Sequence, residues 1–286
     1  MLPAAPATAK FTVERITALL KRTPTLINFR TTRDVAFRFN PGHYARLGLG
    51  EKSAEVGTEA GTEAGTGTGD AGQGTSTAPA DAAVWRPYSI ASPAAAPFLD
   101  FQLTLVPGGD FCERFNTLRE GDAIRVDARS FGFLTLDQLA PGGTLWMFST
   151  GTGLAPFISI LATDALWQRH PRVVLTHSVR YGNELMPDVI DTALASRSAE
   201  ERARFTYMPI VTREAVAGTR SARLPELWRS GELEQAGGAA LDAEHSRAML
   251  CGNPEMIKEM RAMLKERAMG PSRRGVPGQL AAEGYW

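Results

Sequence analysis

The sequence predicts a two-domain β plus α/β protein, an N-terminal antiparallel β-barrel followed by a C-terminal parallel-sheet α/β domain. Three observations carry this expectation. Apolar residues in the first half alternate with period two between Pro/Gly turns. The second half changes to short continuous apolar runs separated by helix-like stretches. The chain has 286 residues, and at roughly 150 residues per domain that suits two units. The division is expected at residues 1–142 and 143–286.

In chain order, Phe37 and Phe39, then Leu47 and Leu49, alternate with polar or small neighbours. Leu99, Phe101, Leu103 and Leu105 alternate with Asp100, Gln102 and Thr104, and Ile124, Val126 and Ala128 with Arg125 and Asp127. Such runs, bounded by Pro41-Gly42 and Pro107-Gly108-Gly109, read as half-buried antiparallel strands, and several without long helices suggest a small barrel. Residues 51–84 interrupt this pattern. Gly, Ala and Thr fill 21 of the 34 positions there, and GTEA repeats from Gly57. With almost no large apolar side chain to offset ordering entropy, the segment is expected to be a flexible surface loop. After Pro141-Gly142-Gly143, the run Leu145-Trp146-Met147-Phe148 reads as a strand buried on both faces. A helix follows from Pro156, and Val173–Leu175 is a second buried strand. Met256, Ile257, Met260, Met263 and Leu264 share a helical face after Asn253-Pro254, a stripe suited to core packing. Alternating strands and helices imply a parallel sheet.

Composition narrows the function classes. Lys+Arg and Asp+Glu are both 31, which argues against a nucleic-acid partner. The loop holds six acids and one base; without it, residues 1–143 hold 13 bases and 9 acids, a net +4. A basic first half suits steering of an acidic partner, and equally suits ordinary surface charge. Two cysteines, Cys112 and Cys251, are too few for an iron–sulfur cluster. The four histidines lack metal-ligand spacing, so no metal is expected. No window approaches the ~20 apolar residues of a membrane span, and the N-terminal residues lack a signal-peptide pattern. A cytoplasmic protein is expected.

Three motifs point to chemistry. In Phe148-Ser-Thr-Gly-Thr-Gly-Leu-Ala-Pro156, a buried strand runs into Gly151-Thr152-Gly153 and then a helix. Glycines admit a ligand close to the backbone, and a helix start attracts phosphate; a ligand-free strand–helix turn reads the same way. The next strand, 173–179, ends in Arg180, where an NAD site usually carries an acid. The segment Thr206–Thr212 then leads to Arg213 and Arg223. Each arginine alone fits a solvated surface residue. Together, behind the Gly-rich turn, they favour a 2′-phosphate and hence NADP. The second motif, Arg86-Pro87-Tyr88-Ser89, puts a cation and an aromatic on one strand face with a hydroxyl beside them. It suits a pyrophosphate, a stacked ring and a ring nitrogen; alone, it also fits an exposed strand. The third is the terminal Gly284-Tyr285-Trp286, whose aromatics suit a tail held by stacking.

RPYS, GTGLAP, HSVR, the pair Arg213 and Arg223, LCGNPEM and the aromatic end occur in that order. The set resembles the bacterial ferredoxin/flavodoxin–NADP⁺ reductases over nearly the whole chain except residues 51–84. The resemblance implies an FAD-binding barrel, an NADP-binding α/β domain, and residue roles. Arg86 would bind the FAD pyrophosphate, Tyr88 would pack on the isoalloxazine, and Ser89 would hydrogen-bond flavin N5, with Pro87 between them. Asp110, Phe111 and Cys112 match the segment whose backbone N–H groups hold the flavin phosphates. Thr152 would sit near both rings. Arg180, Arg213 and Arg223, with the adjacent Thr212, match the 2′-phosphate region, and Gly151 and Gly153 the nucleotide turn. Cys251, Gly252 and Asn253 match the loop beside the nicotinamide. Tyr285 would cover the other flavin face and move aside for nicotinamide, and Trp286 would reach toward the adenine. Cys112 stands where the family often has Ser or Thr, and Gly284 where it often has His or Lys.

The implied reaction is hydride transfer between NADPH and flavin N5, with single-electron steps to an acidic ferredoxin or flavodoxin. Ser89, Cys251 and Tyr285 would serve it at the rings, in a monomer. Two other readings share these motifs: a non-catalytic flavin/NADP-binding regulatory module, and a stand-alone reductase serving an oxygenase.

Overall fold

The structure, a computed structural model, describes residues 10–50 and 83–284. The first sheet contains β1 (Phe11–Lys21), β2 (Leu26–Thr32), β3 (Tyr44–Leu49), β4 (Val84–Ser89), β5 (Phe98–Thr104) and β6 (Ala123–Phe131), with the short helix α1 (Asp110–Phe115) between the last two. Its order is β4-β3-β6-β1-β2-β5, with every strand pair antiparallel. The long β1 makes this possible. Its first half pairs with β6 and its second with β2, and its register to β2 shifts between Ile16 and Ala18. An antiparallel bridge between Ile90 and Phe101 joins the two outer strands, closing the barrel. Period-two alternation then fills the interior. Ile16, Ile27, Phe29, Leu47, Leu99, Phe101, Leu103, Ile124 and Val126 form one core.

The second half contains β7 (Thr144–Thr150), α2 (Ala155–Leu161), α3 (Asp164–Arg169), β8 (Arg172–Val179), α4 (Pro187–Leu194), α5 (Ala199–Ala203), β9 (Phe205–Val211), α6 (Leu224–Arg229), α7 (Glu232–Gly237), β10 (Ser246–Gly252), α8 (Pro254–Glu266) and β11 (Leu280–Gly284). The five strands form a parallel sheet in the order β11-β10-β7-β8-β9. Burial on both faces explains the continuous apolar runs: Leu145, Met147 and Leu175 face one core, while Trp146, Phe148 and Val174 face the other. The Met stripe of α8 lies in the second of these, with Met256, Met260 and Leu264 buried.

The two sheets are joined by packing as well as by chain. Leu26 and Ala91 from the barrel, and Leu134, Leu136 and Leu139 from the segment before β7, share a core with Phe157 and Ile158 of α2. Ser159 Oγ donates to the Ser92 carbonyl at 2.8 Å. Arg22, beyond β1, makes a two-pronged ion pair with Asp188 of α4, one arm 3.0 Å long, and this pair holds the Asp188 carboxyl below the usual carboxylate range. These contacts hold the barrel and the parallel sheet against one another.

Three expectations need correction. Phe37 and Phe39 are buried, but their segment is not a strand. Arg33 takes up its polar demand, donating to the carbonyls of Phe37, Ala94 and Ala96 at 2.7–2.8 Å. Val84, assigned above to the flexible segment, opens β4 and pairs with Leu49; residues 51–82 lie outside the described part. Gln102, read as a polar outward position, is 4% exposed, because the outer face of β5 is covered where the two halves meet.

Candidate functional site

Between the halves lies a cleft of about 450 Å³. Strand β4 supplies one wall. Its ladder pairing is to β3, and the closing bridge to β5 lies just beyond it at Ile90, so Pro87 removes no needed ladder hydrogen bond. Arg86, Pro87, Tyr88 and Ser89 all line the cleft. Arg86 is exposed and donates to the Trp85 carbonyl at 2.8 Å. Tyr88 rests on Phe111, with ring centroids 5.2 Å apart, so the phenol ring is held as a fixed platform. Burial pushes its hydroxyl pKa up, so it stays protonated. Ser89 is 4% exposed and its Oγ has no hydrogen-bond partner.

The loop after β5 and α1 form the second wall. Phe111 and Cys112 line the cleft, with Cys112 Sγ 3.8 Å from the Thr104 carbonyl. Asp110 is exposed and is not part of the lining. The third wall is the short 3₁₀ turn Gly151–Leu154 after β7, which contributes Thr152. This turn locks against the end of β10. A Cβ on Gly153 would fall 2.4 Å from the Cys251 carbonyl oxygen. Gly252 has φ +124°, and a Cβ there would fall 2.2 Å from Thr150 Oγ1. Only glycine allows this approach. The Asn253 N–H donates to Thr150 Oγ1 at 2.6 Å, while Asn253 Oδ1 caps α8 by accepting from Glu255 and Met256. His177 supports the turn from beneath through Nε2 to the Gly151 carbonyl at 3.1 Å. Burial pushes its pKa down to about 4, leaving it neutral.

Cys251 is fully buried in the sheet core and is not part of the cleft lining. At the nucleotide end, the Thr212 N–H donates to the Val179 carbonyl at 3.0 Å and that of Arg213 to the Arg180 carbonyl at 2.9 Å. The structure thus brings Arg180 and Arg213 together on adjacent strand ends, both exposed. Arg223 precedes α6, and its guanidinium lies 4.0 Å from Glu259 of α8, which also pairs with Arg229 at 2.7 Å. Tyr285 and Trp286 lie outside the described residues.

Sequence reasoning did not assign Tyr44, Gln102, Thr104, Val106, Gly109 or Glu283 to the site, and all six line the cleft. Tyr44 stacks on Phe131 with centroids 5.8 Å apart. Glu283 of β11 is the register partner of Cys251. Its Oε2 is buried without a partner, and burial pushes its pKa up to about 7. Gln102 leaves both Oε1 and Nε2 unpartnered. The one available signal was the position of Glu283 just before the aromatic end; Gln102 gave none.

An apolar cleft of a few hundred Å³ with a few converging polar groups is what a cofactor site requires. The buried hydroxyl, carboxamide and carboxyl without protein partners are groups that a polar-edged ring would satisfy, and Tyr88 offers that ring a face. Among the described residues, no cluster of His, Cys, Asp or Glu is placed to hold a metal ion, and no helix is long and apolar enough to cross a membrane.

Residues 147–262 match the family model of the oxidoreductase NAD-binding domain. The chain is 33% identical over 276 residues to the ferredoxin–NADP reductase of Pseudomonas aeruginosa, covering 94% of this chain and 95% of that one. It is 37% identical over 204 residues to the flavodoxin/ferredoxin–NADP reductase of Escherichia coli, covering 71% of this chain and 81% of that one. A crystal structure of a ferredoxin NADP⁺ reductase from Neisseria gonorrhoeae with bound FAD and NADP superposes with a TM-score of 0.79 at 33% identity, over 97% of this chain and 100% of that one.

Proposed function

The chain belongs to the ferredoxin/flavodoxin–NADP⁺ reductase family, and on that premise we propose an FAD-dependent oxidoreductase that passes electrons between NADP(H) and a small carrier protein, a ferredoxin or flavodoxin. The observation that carries this reading is the cleft, where buried unpartnered polar atoms of Ser89, Gln102 and Glu283 converge beside the Tyr88 ring. FAD, when bound, supplies the conversion between hydride and single-electron chemistry that amino-acid side chains lack.

The chain's own residues bind and orient. Tyr88 would pack on one face of the flavin ring, and Ser89 would offer its hydroxyl to N5. Arg86 and the backbone N–H groups of Asp110, Phe111 and Cys112 hold the diphosphate. Arg180 and Arg213 on adjacent strand ends, with Thr212 and Arg223, would select the 2′-phosphate. Gly151, Thr152 and Gly153 would let the nucleotide approach the backbone, and Gly252 and Asn253, which follow the buried Cys251, would border the nicotinamide position. Holding the two rings in reacting orientation supplies rate.

The net +4 of residues 1–143 without the 51–84 segment supports steering of an acidic carrier. We assign the enzyme to the cytoplasm as a monomer, with a division at residues 142 and 143; β7 begins just beyond, at Thr144. The test is the visible spectrum, recorded anaerobically before and after one equivalent of NADPH. Flavin bands that bleach with NADPH, and much less with NADH, are the expected result. A protein that stays colourless after incubation with FAD overturns the reading.

A further inference from the structure

Gln102 is unusual for a strand residue with outward alternation. It is 4% exposed, yet neither Oε1 nor Nε2 has a hydrogen-bond partner. Leaving a buried amide unsatisfied costs its full desolvation, and native structures hold few such groups. Its neighbours do not relieve it. Asn28 is its register partner across β2–β5, but Asn28 Oδ1 is itself unpartnered, so no bond joins the two amides through that atom. The bridge between Ile90 and Phe101 sets Ser89 opposite Gln102 when the antiparallel register is continued by one residue. Two buried polar groups thus face one another across the barrel's closing seam, and both line the cleft, with no hydrogen bond between them.

The chemistry of the two groups differs in a useful way. A hydroxyl makes one directed contact, as to a ring nitrogen. A primary carboxamide offers a donor and an acceptor side by side, the complement of a lactam edge with its C=O next to N–H. The flavin ring carries that pattern next to N5, as the C4 carbonyl and the N3–H. We propose that Gln102 is a flavin ligand, its carboxamide pairing with the C4=O/N3–H edge while Ser89 addresses N5, and that it thereby helps to set the potential of the bound flavin. The proposal rests on the reading of the cleft as an FAD site. The Nε2 donor is the consequential half. Electron density on the C4 oxygen rises on reduction, so a donor there favours the reduced ring. Gln102 is a positioning and tuning residue, and no step of the reaction requires it to gain or lose a proton.

The test uses Gln102→Leu, which keeps side-chain bulk and removes both polar atoms. Apoprotein of each form is titrated with FAD and with N3-methyl-FAD, and the potential of the bound flavin is measured. Wild type is expected to bind FAD at least tenfold more tightly than Gln102→Leu, and to bind N3-methyl-FAD about tenfold more weakly than FAD. In Gln102→Leu the N-methyl penalty should shrink to threefold or less. The variant's flavin should have a lower potential, while its apoprotein melts at the same temperature or higher, since an unsatisfied buried amide has been removed. An equal N-methyl penalty in both proteins, or an unchanged affinity and potential, overturns the assignment of Gln102 alone. Failure of wild type to bind FAD would instead overturn the cofactor reading. Should Gln102→Leu not fold, Gln102→Met gives the same decision: it removes donor and acceptor at similar bulk without adding charge, and is expected to shrink the N-methyl penalty and lower the potential, an unchanged penalty overturning the proposal.

Discussion

The flavin cleft and the arginine corner at the ends of β8 and β9 solve recognition in opposite ways. In the cleft, Ser89, Gln102 and Glu283 bury polar atoms without protein partners, held by a closed barrel and a glycine-locked turn. At the corner, Arg180 and Arg213 stand exposed on strand ends, and only their backbones are fixed to one another. The cleft is organised before its ligand arrives, at a cost in stability. The corner costs almost nothing in the free protein and acts through charge. Substitutions in the cleft should therefore cause large, salt-insensitive changes, and those at the corner graded, salt-dependent ones.

The largest effect is expected where the cleft's third wall is locked. Gly252→Ala places a methyl group 2.2 Å from Thr150 Oγ1 on a backbone with φ +124°. Overpacking and the left-handed conformation together should cost about 3 kcal/mol of stability. Reduction by NADPH should fall at least about a hundredfold, since an ångström of misplacement between reacting groups has that effect. Stopped-flow reduction and a melting curve read both. A variant with wild-type reduction rates would break the claim that the turn is pre-set. Ser89→Ala comes next. It removes one buried hydroxyl without steric change, and the rate of flavin reduction should fall about tenfold or more with FAD still bound.

Glu283 sharpens the comparison through pH. Its pKa rises from 4.5 to about 7 in the folded apoprotein because burial penalises the carboxylate. A raised folded pKa means that the contribution is fully present below about pH 4.5 and is lost as pH rises through 7. The loss is about 3 kcal/mol. Glu283→Gln should flatten this decline, so that urea midpoints at pH 5 and pH 8 differ less than in wild type. An identical pH dependence in both proteins would show that Glu283 is not desolvated.

How far the cleft could be read from sequence depends on whether its determinants are local. Arg86-Pro87-Tyr88-Ser89 and Gly151-Thr152-Gly153 are contiguous, and each performs its task within one strand end or turn. The barrel and sheet were legible for the same reason, since alternation and buried runs report local faces. Gln102 was not, because outward alternation looks the same whether water or the Gly-rich turn lies beyond it. Phe37 and Phe39 misled because burial in a loop satisfied by Arg33 has the same apolar spacing as a strand. Glu283 needed the register of β10 with β11, which joins Cys251 to a residue 32 positions away.

The smallest predicted effects lie at the corner, and their ranking follows from what each guanidinium does without ligand. Arg180 and Arg213 project from neighbouring strand ends, so a 2′-phosphate between them would meet two cations at little reorganisation. Arg223 lies 4.0 Å from Glu259, and drawing it toward a phosphate would weaken that contact. Arg213→Ala should raise the KM for NADPH about tenfold at low ionic strength, the value of one charge-assisted contact, and leave NADH kinetics unchanged. The difference should narrow as salt is raised. Arg223→Ala should raise the same KM only about threefold, since part of its interaction is already committed to Glu259. Equal effects of the two substitutions would mean that Arg223 leaves Glu259 freely. The corner would then resemble the cleft in being set for its ligand, and the contrast between the two regions would fail at the residue where it is thinnest.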